Sequence, residues 1–273
     1  MTPEISEFSY GFALTNEIVG WAPLAAAPIF PSLIEEGQAG GGYDVKLDFP
    51  AVPLFLQFKR SDCLVRSSAI EIRDYGLDLS RPYYRFKVTE RKKSNQHEML
   101  LALDNGPNNV FYVAPKFHLL SEINDAWSQN NVSGRSIFIA PSEIGVLDDE
   151  SHHVAFDERK AFLCSDPRPV DALSGPDLVK RLADRLAKAK APLSEQLPYM
   201  IENLRSAKSR AIKKLAYRTG AQDHVYELGE KSEPPRVETR RARELQEEQR
   251  LLRELADEAA TAFNAQLVLV QSR

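Results

Sequence analysis

Apolar and polar positions alternate most clearly over Tyr43–Phe49, where Tyr43, Val45, Leu47 and Phe49 share one face and Asp44, Lys46 and Asp48 the other. A period of two predicts a half-buried strand. After Pro50 and Pro53, Leu54–Lys59 is apolar almost throughout, which predicts a strand central in its sheet. The two strands could form a hairpin. Further strands are predicted at Tyr83–Val88, Val110–Ala114, Ser136–Ala140 and His152–Phe156. Helical spacing predicts helices at Phe12–Val19, Gln96–Leu103 and Leu120–Trp127, with Ser94 and Ser121 as candidate caps. Pro31–Glu36 reads as a helical turn ended by Gly40–Gly42, and Trp21–Pro31 and residues 60–82 read as irregular.

The pattern changes after Pro167. Ser174, Pro176 and Asp177 mark a capped helix start. Leu178, Leu182 and Leu186 repeat every four residues, and Leu193–Tyr217 continues at helical spacing across Pro198. Glu238–Phe263 predicts a long charged helix, and Gln266–Val270 a last strand able to dock on the sheet. The expected fold is α/β (α+β). It has a mixed central sheet flanked by helices over residues 1–166 and a helical extension over 167–273.

Composition adds little. The 273 residues are 43% hydrophobic and 27% charged, as in ordinary globular chains, and the net charge of −4 does not call for a polyanion partner. Two cysteines form no disulfide framework or zinc pair. No apolar run reaches the ~18 residues of a membrane span, and the acidic opening MTPEISEFSYGF is unlike a signal peptide. A cytoplasmic location is expected.

Gln57 and Lys59 lie two apart on an otherwise apolar strand, so they share a face. Two such groups are costly there unless that face opens on a cleft. Asp44 lies on the preceding polar face, with twelve residues between it and Gln57. A carboxylate, an amide oxygen and a lysine suit phosphodiester cleavage. Oxygen ligands hold Mg²⁺, and a cation stabilises developing negative charge.

The pattern Gly42-Tyr43-Asp44…Leu54-Phe55-Leu56-Gln57-Phe58-Lys59 resembles the core of the PD-(D/E)XK nuclease superfamily in its Q-x-K variant, as in Mrr-type restriction enzymes. The resemblance covers roughly residues 12–115 and implies a restriction-endonuclease-like fold. It implies a metal ligand at Asp44, a second at Gln57, a catalytic Lys59, and Mg²⁺ or Mn²⁺ as cofactor. It implies an acid from the first helix, with Glu17, Glu35 and Glu36 as candidates, and a polar side chain from the later helix, Gln96 or His97. The implied activity is cleavage of nucleic acid, DNA in first place, in restriction or phage defence.

Cations interleaved with aromatics, Arg85, Lys87, Lys92 and Lys93 after Tyr83 and Tyr84, are candidate nucleic-acid contacts. So are Lys213 and Lys214, within a stretch of basic residues from Arg205 to Arg218 that lacks an acid. A solvated charged face is the alternative for both. His118 reads as a satisfied structural histidine. Two rival functions stand beside the nuclease: a non-catalytic nucleic-acid-binding or adaptor protein on a degenerate nuclease fold, and an interaction protein assembling, as a homo-oligomer or with a partner, through its C-terminal helices.

Overall fold

The computed structural model describes residues 1–21, 24–29, 45–104, 108–219 and 240–272. The chain begins with α1 (Glu7–Val19), β1 (Leu24–Ile29), β2 (Val52–Phe58), β3 (Asp62–Leu64), α2 (Ile70–Arg73), β4 (Tyr83–Val88), α3 (Gln96–Leu103) and β5 (Asn109–Pro115). It continues through α4 (Leu120–Ser128), β6 (Ser136–Ile139), α5 (Pro141–Ile144), β7 (His152–Phe156), β8 (Ala161–Leu163) and β9 (Arg168–Pro169). The last elements are α6 (Gly175–Leu186), α7 (Leu193–Thr219), α8 (Arg240–Phe263) and β10 (Gln266–Ser272).

The fold is mixed α/β, with two sheets where the sequence pattern suggested one. The first has the order β1-β10-β2-β5-β6 and the second β3-β4-β7-β8-β9. In the first sheet β2 and β5 run parallel, Gln57 opposite Tyr112, while the other neighbours are antiparallel. A parallel pair needs a crossover, and α3 lies on it.

β2 is apolar throughout because both its faces are covered. Phe55 points into a core shared with Phe86 and Phe156 of the second sheet, Leu100 of α3, Leu197 of α7 and Leu255 of α8. Leu54 and Leu56 point the other way, onto Tyr10 and Leu14 of α1, Ile123 of α4 and Leu182 of α6. A small third cluster, with Tyr83, Ala155 and Cys164, lies behind the second sheet. α6 is capped as its sequence predicts, the Ser174 hydroxyl accepting from the Asp177 amide at 3.3 Å. At α4 the cap differs: the Glu122 carboxylate accepts from the His118 and Leu119 amides, and Ser121 plays no such part.

Three sequence expectations are corrected. Trp21–Pro31 is not wholly irregular, since Leu24–Ile29 forms β1. Its alanines and Pro28 hide it, and proline is tolerated there because β1 ends the sheet order. Residues 60–82 contain β3 and α2. The described part of the expected strand Tyr43–Phe49 is irregular and then a turn. β10 occupies the edge of β2 that a hairpin partner would need, pairing Gln266 with Leu56 through Val270 with Val52. The displaced backbone is satisfied in other ways. Gln271 donates to Lys46 O at 2.8 Å and accepts from Lys46 N at 2.9 Å. The first amides of α7, at Leu193 and Ser194, donate to Phe49 O and Leu47 O.

The C-terminal third is therefore built into the core. α7 and α8 pack together, and the apolar stripe of α8, including Leu255, Ala259 and Phe263, is buried. Among the described residues no helix is long and apolar enough to cross a membrane.

Candidate functional site

Lys59 follows the last residue of β2 and continues its pairing, its amide donating to Val113 O at 2.8 Å. Strand alternation turns Gln57 and Lys59 to the same face as Phe55, toward the N-terminus of α3. Both are buried, at 6% and 7% exposure, so each needs a partner. Gln96, the first residue of α3, serves both. Its Oε1 accepts from Lys59 Nζ at 3.1 Å and its Nε2 donates to Gln57 Oε1 at 2.8 Å. Gln57 Nε2 in turn donates to Phe58 O at 3.2 Å. An ammonium can only donate, so Lys59 fixes which way the Gln96 amide faces, and Gln96 fixes Gln57.

The Tyr112 ring lies 5.4 Å from the Lys59 ammonium and offers a cation–π contact. Among the described residues no carboxylate forms an ion pair with Lys59. Burial pulls its pKa below the usual lysine value, and the Glu7 carboxylate offsets part of that drop. The neighbouring His97 is structural. Its Nε2 lies 2.7 Å from Gly145 O and must carry the proton, which leaves Nδ1 to accept from the Tyr112 hydroxyl at 3.0 Å. Burial lowers its pKa to about 4.

A groove of about 700 Å³ reaches Gln57 from the α1 side. Its walls include Glu7, Phe8, Phe12 and Asn16 of α1, and Asn264 between α8 and β10. Phe8 and Phe12 are strongly exposed.

Of the acids suggested by the sequence, Glu17 alone lies among the described residues. Glu17 is buried away from the Gln57 cluster. Its carboxylate accepts from the Val132 amide at 2.5 Å, the Ser133 amide at 3.1 Å and the Ser133 hydroxyl, which pins the loop before β6. It is saturated by these bonds and is a structural acid. Glu7, which the sequence reading did not single out, is the first-helix carboxylate that shares the groove with Gln57. The step of ten positions from Glu7 to Glu17 spans roughly 15 Å of helix. Asp44, Glu35 and Glu36 lie outside the described residues.

Three of the six candidate nucleic-acid contacts, Arg85, Lys87 and Lys93, are engaged internally. Arg85 pairs with the buried Glu71 at 2.6 Å and with Asp62 at 3.4 Å. Lys87 and Lys93 both pair with Glu90. Tyr83, Tyr84 and Phe86 are buried core residues, so they offer no ring for a base to stack on. Lys92, Lys213 and Lys214 are exposed. Further back on α7, Arg205 and Lys208 pair with Glu254 and Glu258 of α8, acids remote in sequence. His118 is buried beside Glu122 at 3.1 Å.

Gln57 and Glu7 are oxygen donors, the ligand type that a hard divalent cation takes. Gln57 Oε1 keeps a second lone pair beyond the bond from Gln96. Both line the groove, and a Mg²⁺ ligand set there would need at least one further carboxylate. Among the described residues no group of three His, Cys, Asp or Glu side chains could hold a metal ion. Comparison with known proteins finds no matching family model, no matching curated protein and no matching solved structure.

Proposed function

We propose that this chain is a metal-dependent nuclease acting on nucleic acid, DNA in first place, on a restriction-endonuclease-like core. The observation that carries the reading is the bonded set Gln57–Gln96–Lys59, set on a parallel strand–helix–strand crossover with a buried ammonium that no described carboxylate neutralises. A buried cation of this kind is costly in a structural role, and its cost is recovered where negative charge develops on a phosphate. Lys59 supplies that charge, Gln96 aims it, and Gln57 offers an amide oxygen. Mg²⁺ or Mn²⁺, held by Gln57, Glu7 and, on the resemblance, Asp44, would polarise a phosphoryl oxygen and acidify a bound water. A role in restriction or phage defence rests on the resemblance alone.

The test is cleavage of duplex DNA, single-stranded DNA and RNA in Mg²⁺ or Mn²⁺. Cutting is expected to stop with a chelator and in Asp44→Ala and Lys59→Ala. Unchanged cutting by Lys59→Ala, or no cutting of any substrate with either metal, would overturn the reading.

A second reading is favoured by the lack of a three-residue metal-ligand group among the described residues. In it the site is degenerate and the chain binds nucleic acid without cutting. Binding would then weaken steeply with salt, ignore chelators and survive Lys59→Ala.

A further inference from the structure

The groove that reaches Gln57 carries two aromatic rings that the fold does not use. Phe8 and Phe12 both line it, and they are 84% and 61% exposed. They lie four apart on α1, so they stand on one face of the helix with Cβ atoms roughly 5–6 Å apart. The packing of α1 is carried by its other face, where Tyr10, Leu14 and Ile18 are fully buried. Gly11 lets the helix sit close over β2, since a Cβ there would come within 3.0 Å of the Phe58 ring. A pair of large apolar rings left in water beside a cleft marks a contact surface.

The rest of the wall decides what those rings can meet. Leu56, Phe58, Ala260 and Ala265 are apolar, and among the described residues Glu7 is the one charged side chain that lines the groove. Grip on a double helix goes mainly through its phosphates and needs lysines or arginines. This wall offers none among the described residues, and its carboxylate repels phosphate unless a cation covers it. What it can hold is the face of a ring. In a duplex the bases are stacked and show only their edges to the grooves. An unpaired base has a free face, and stacking on an aromatic side chain accepts any base. Size points the same way. About 700 Å³ suits a piece the size of a small-molecule ligand, roughly 300–1,000 Å³, and does not take in a double helix. Gln57 and Lys59 are buried, so a phosphate reaches them only on a strand narrow enough to come down to them.

We propose that Phe8 and Phe12 stack on unpaired bases, so that the groove takes single-stranded nucleic acid in preference to duplex; this rests on the reading of Gln57 and Lys59 as a site that acts on nucleic acid. The experiment is fluorescence anisotropy of the full chain, with a chelator present, on three labelled probes: oligothymidylate, a sugar–phosphate strand of equal length without bases, and the oligothymidylate annealed to its complement. The single strand is expected to bind about tenfold or more tighter than the base-free strand and the duplex. Phe8→Ala and Phe12→Ala remove exposed rings, and circular dichroism checks that each folds as the parent does. Each is expected to weaken single-strand binding about fivefold or more and to leave duplex binding unchanged, while Phe8→Trp retains it. The proposal is overturned if the single strand does not bind, if the duplex or the base-free strand binds as tightly, or if the protein with both alanines binds like the parent. Failure of the nuclease reading looks different. Ring-dependent binding of the single strand with no cutting in Mg²⁺ or Mn²⁺ supports the proposal and removes the nuclease, whereas cutting of duplex that ignores both rings keeps the nuclease and overturns the proposal.

Discussion

Lys59 and Gln96, 37 residues apart, meet at 3.1 Å, the end of a central strand against the first residue of the crossover helix. The contact makes Lys59 a buried cation with neutral partners among the described residues. Its position in the fold costs stability.

Lys59→Met should therefore stabilise the chain at neutral pH. The folded pKa of Lys59 lies below the ordinary 10.5. Between the two values the unfolded chain holds the extra proton, so the parent gains stability as pH rises through that window. The advantage of Lys59→Met is present below the folded pKa and shrinks as pH climbs toward 10.5. Urea unfolding of both proteins from pH 7 to 10 measures it. A variant less stable than the parent at pH 7 would show that Gln96 and Tyr112 repay the burial of the charge.

Glu7→Ala and Glu17→Ala should separate function from stability. Glu17 holds three donors in a buried loop, and removing it should cost about 3 kcal/mol in urea unfolding. Glu7 lines the open groove, so its loss should leave stability within about 0.5 kcal/mol and reduce metal-dependent cutting. The reverse pattern would remove Glu7 from the site.

His97 is buried neutral with a pKa of about 4 against an ordinary 6.5. Acidification charges it in the unfolded chain first, so stability is lost as pH falls from about 6.5 to about 4. The difference of about 2.5 units corresponds to roughly 3 kcal/mol. His97→Gln should flatten this stretch of the pH–stability curve. An equally steep loss in His97→Gln would place the acid sensitivity elsewhere.

Removing residues 265–273 should abolish cooperative folding. β10 is an interior strand, hydrogen-bonded to both β1 and β2, and Leu267 to Val270 are buried. Near-UV circular dichroism and thermal unfolding report the outcome. A truncated chain that still melts cooperatively near the parent temperature would contradict this account of the sheet.

Much of the local structure is written in the sequence. The ranges Tyr83–Val88, Gln96–Leu103 and His152–Phe156 are observed as read, because periodicity and turn residues act over a few neighbours. The apolar run of β2 correctly implies burial on both faces. Gln57 and Lys59 are conspicuous because polar groups on such a strand need a reason, and Gln96 is reachable once α3 is recognised as the crossover. The choice between Glu7 and Glu17 is not legible, since both are acids on one helix and only packing decides which meets the loop before β6 and which meets the groove.

The sequence by itself determined the α/β class, the central strand, the crossover helix and the capped start of α6, all products of local pattern and propensity. Tertiary structure alone decided that the last strand enters between β1 and β2, that residues 45–49 are displaced from pairing, and that α8 neutralises cations of α7. Those outcomes depend on pairings between segments up to about 250 residues apart, such as Leu24 with Ser272. Backbone hydrogen bonds carry no residue code of their own, so the partner of a strand edge is settled only when the whole core is packed.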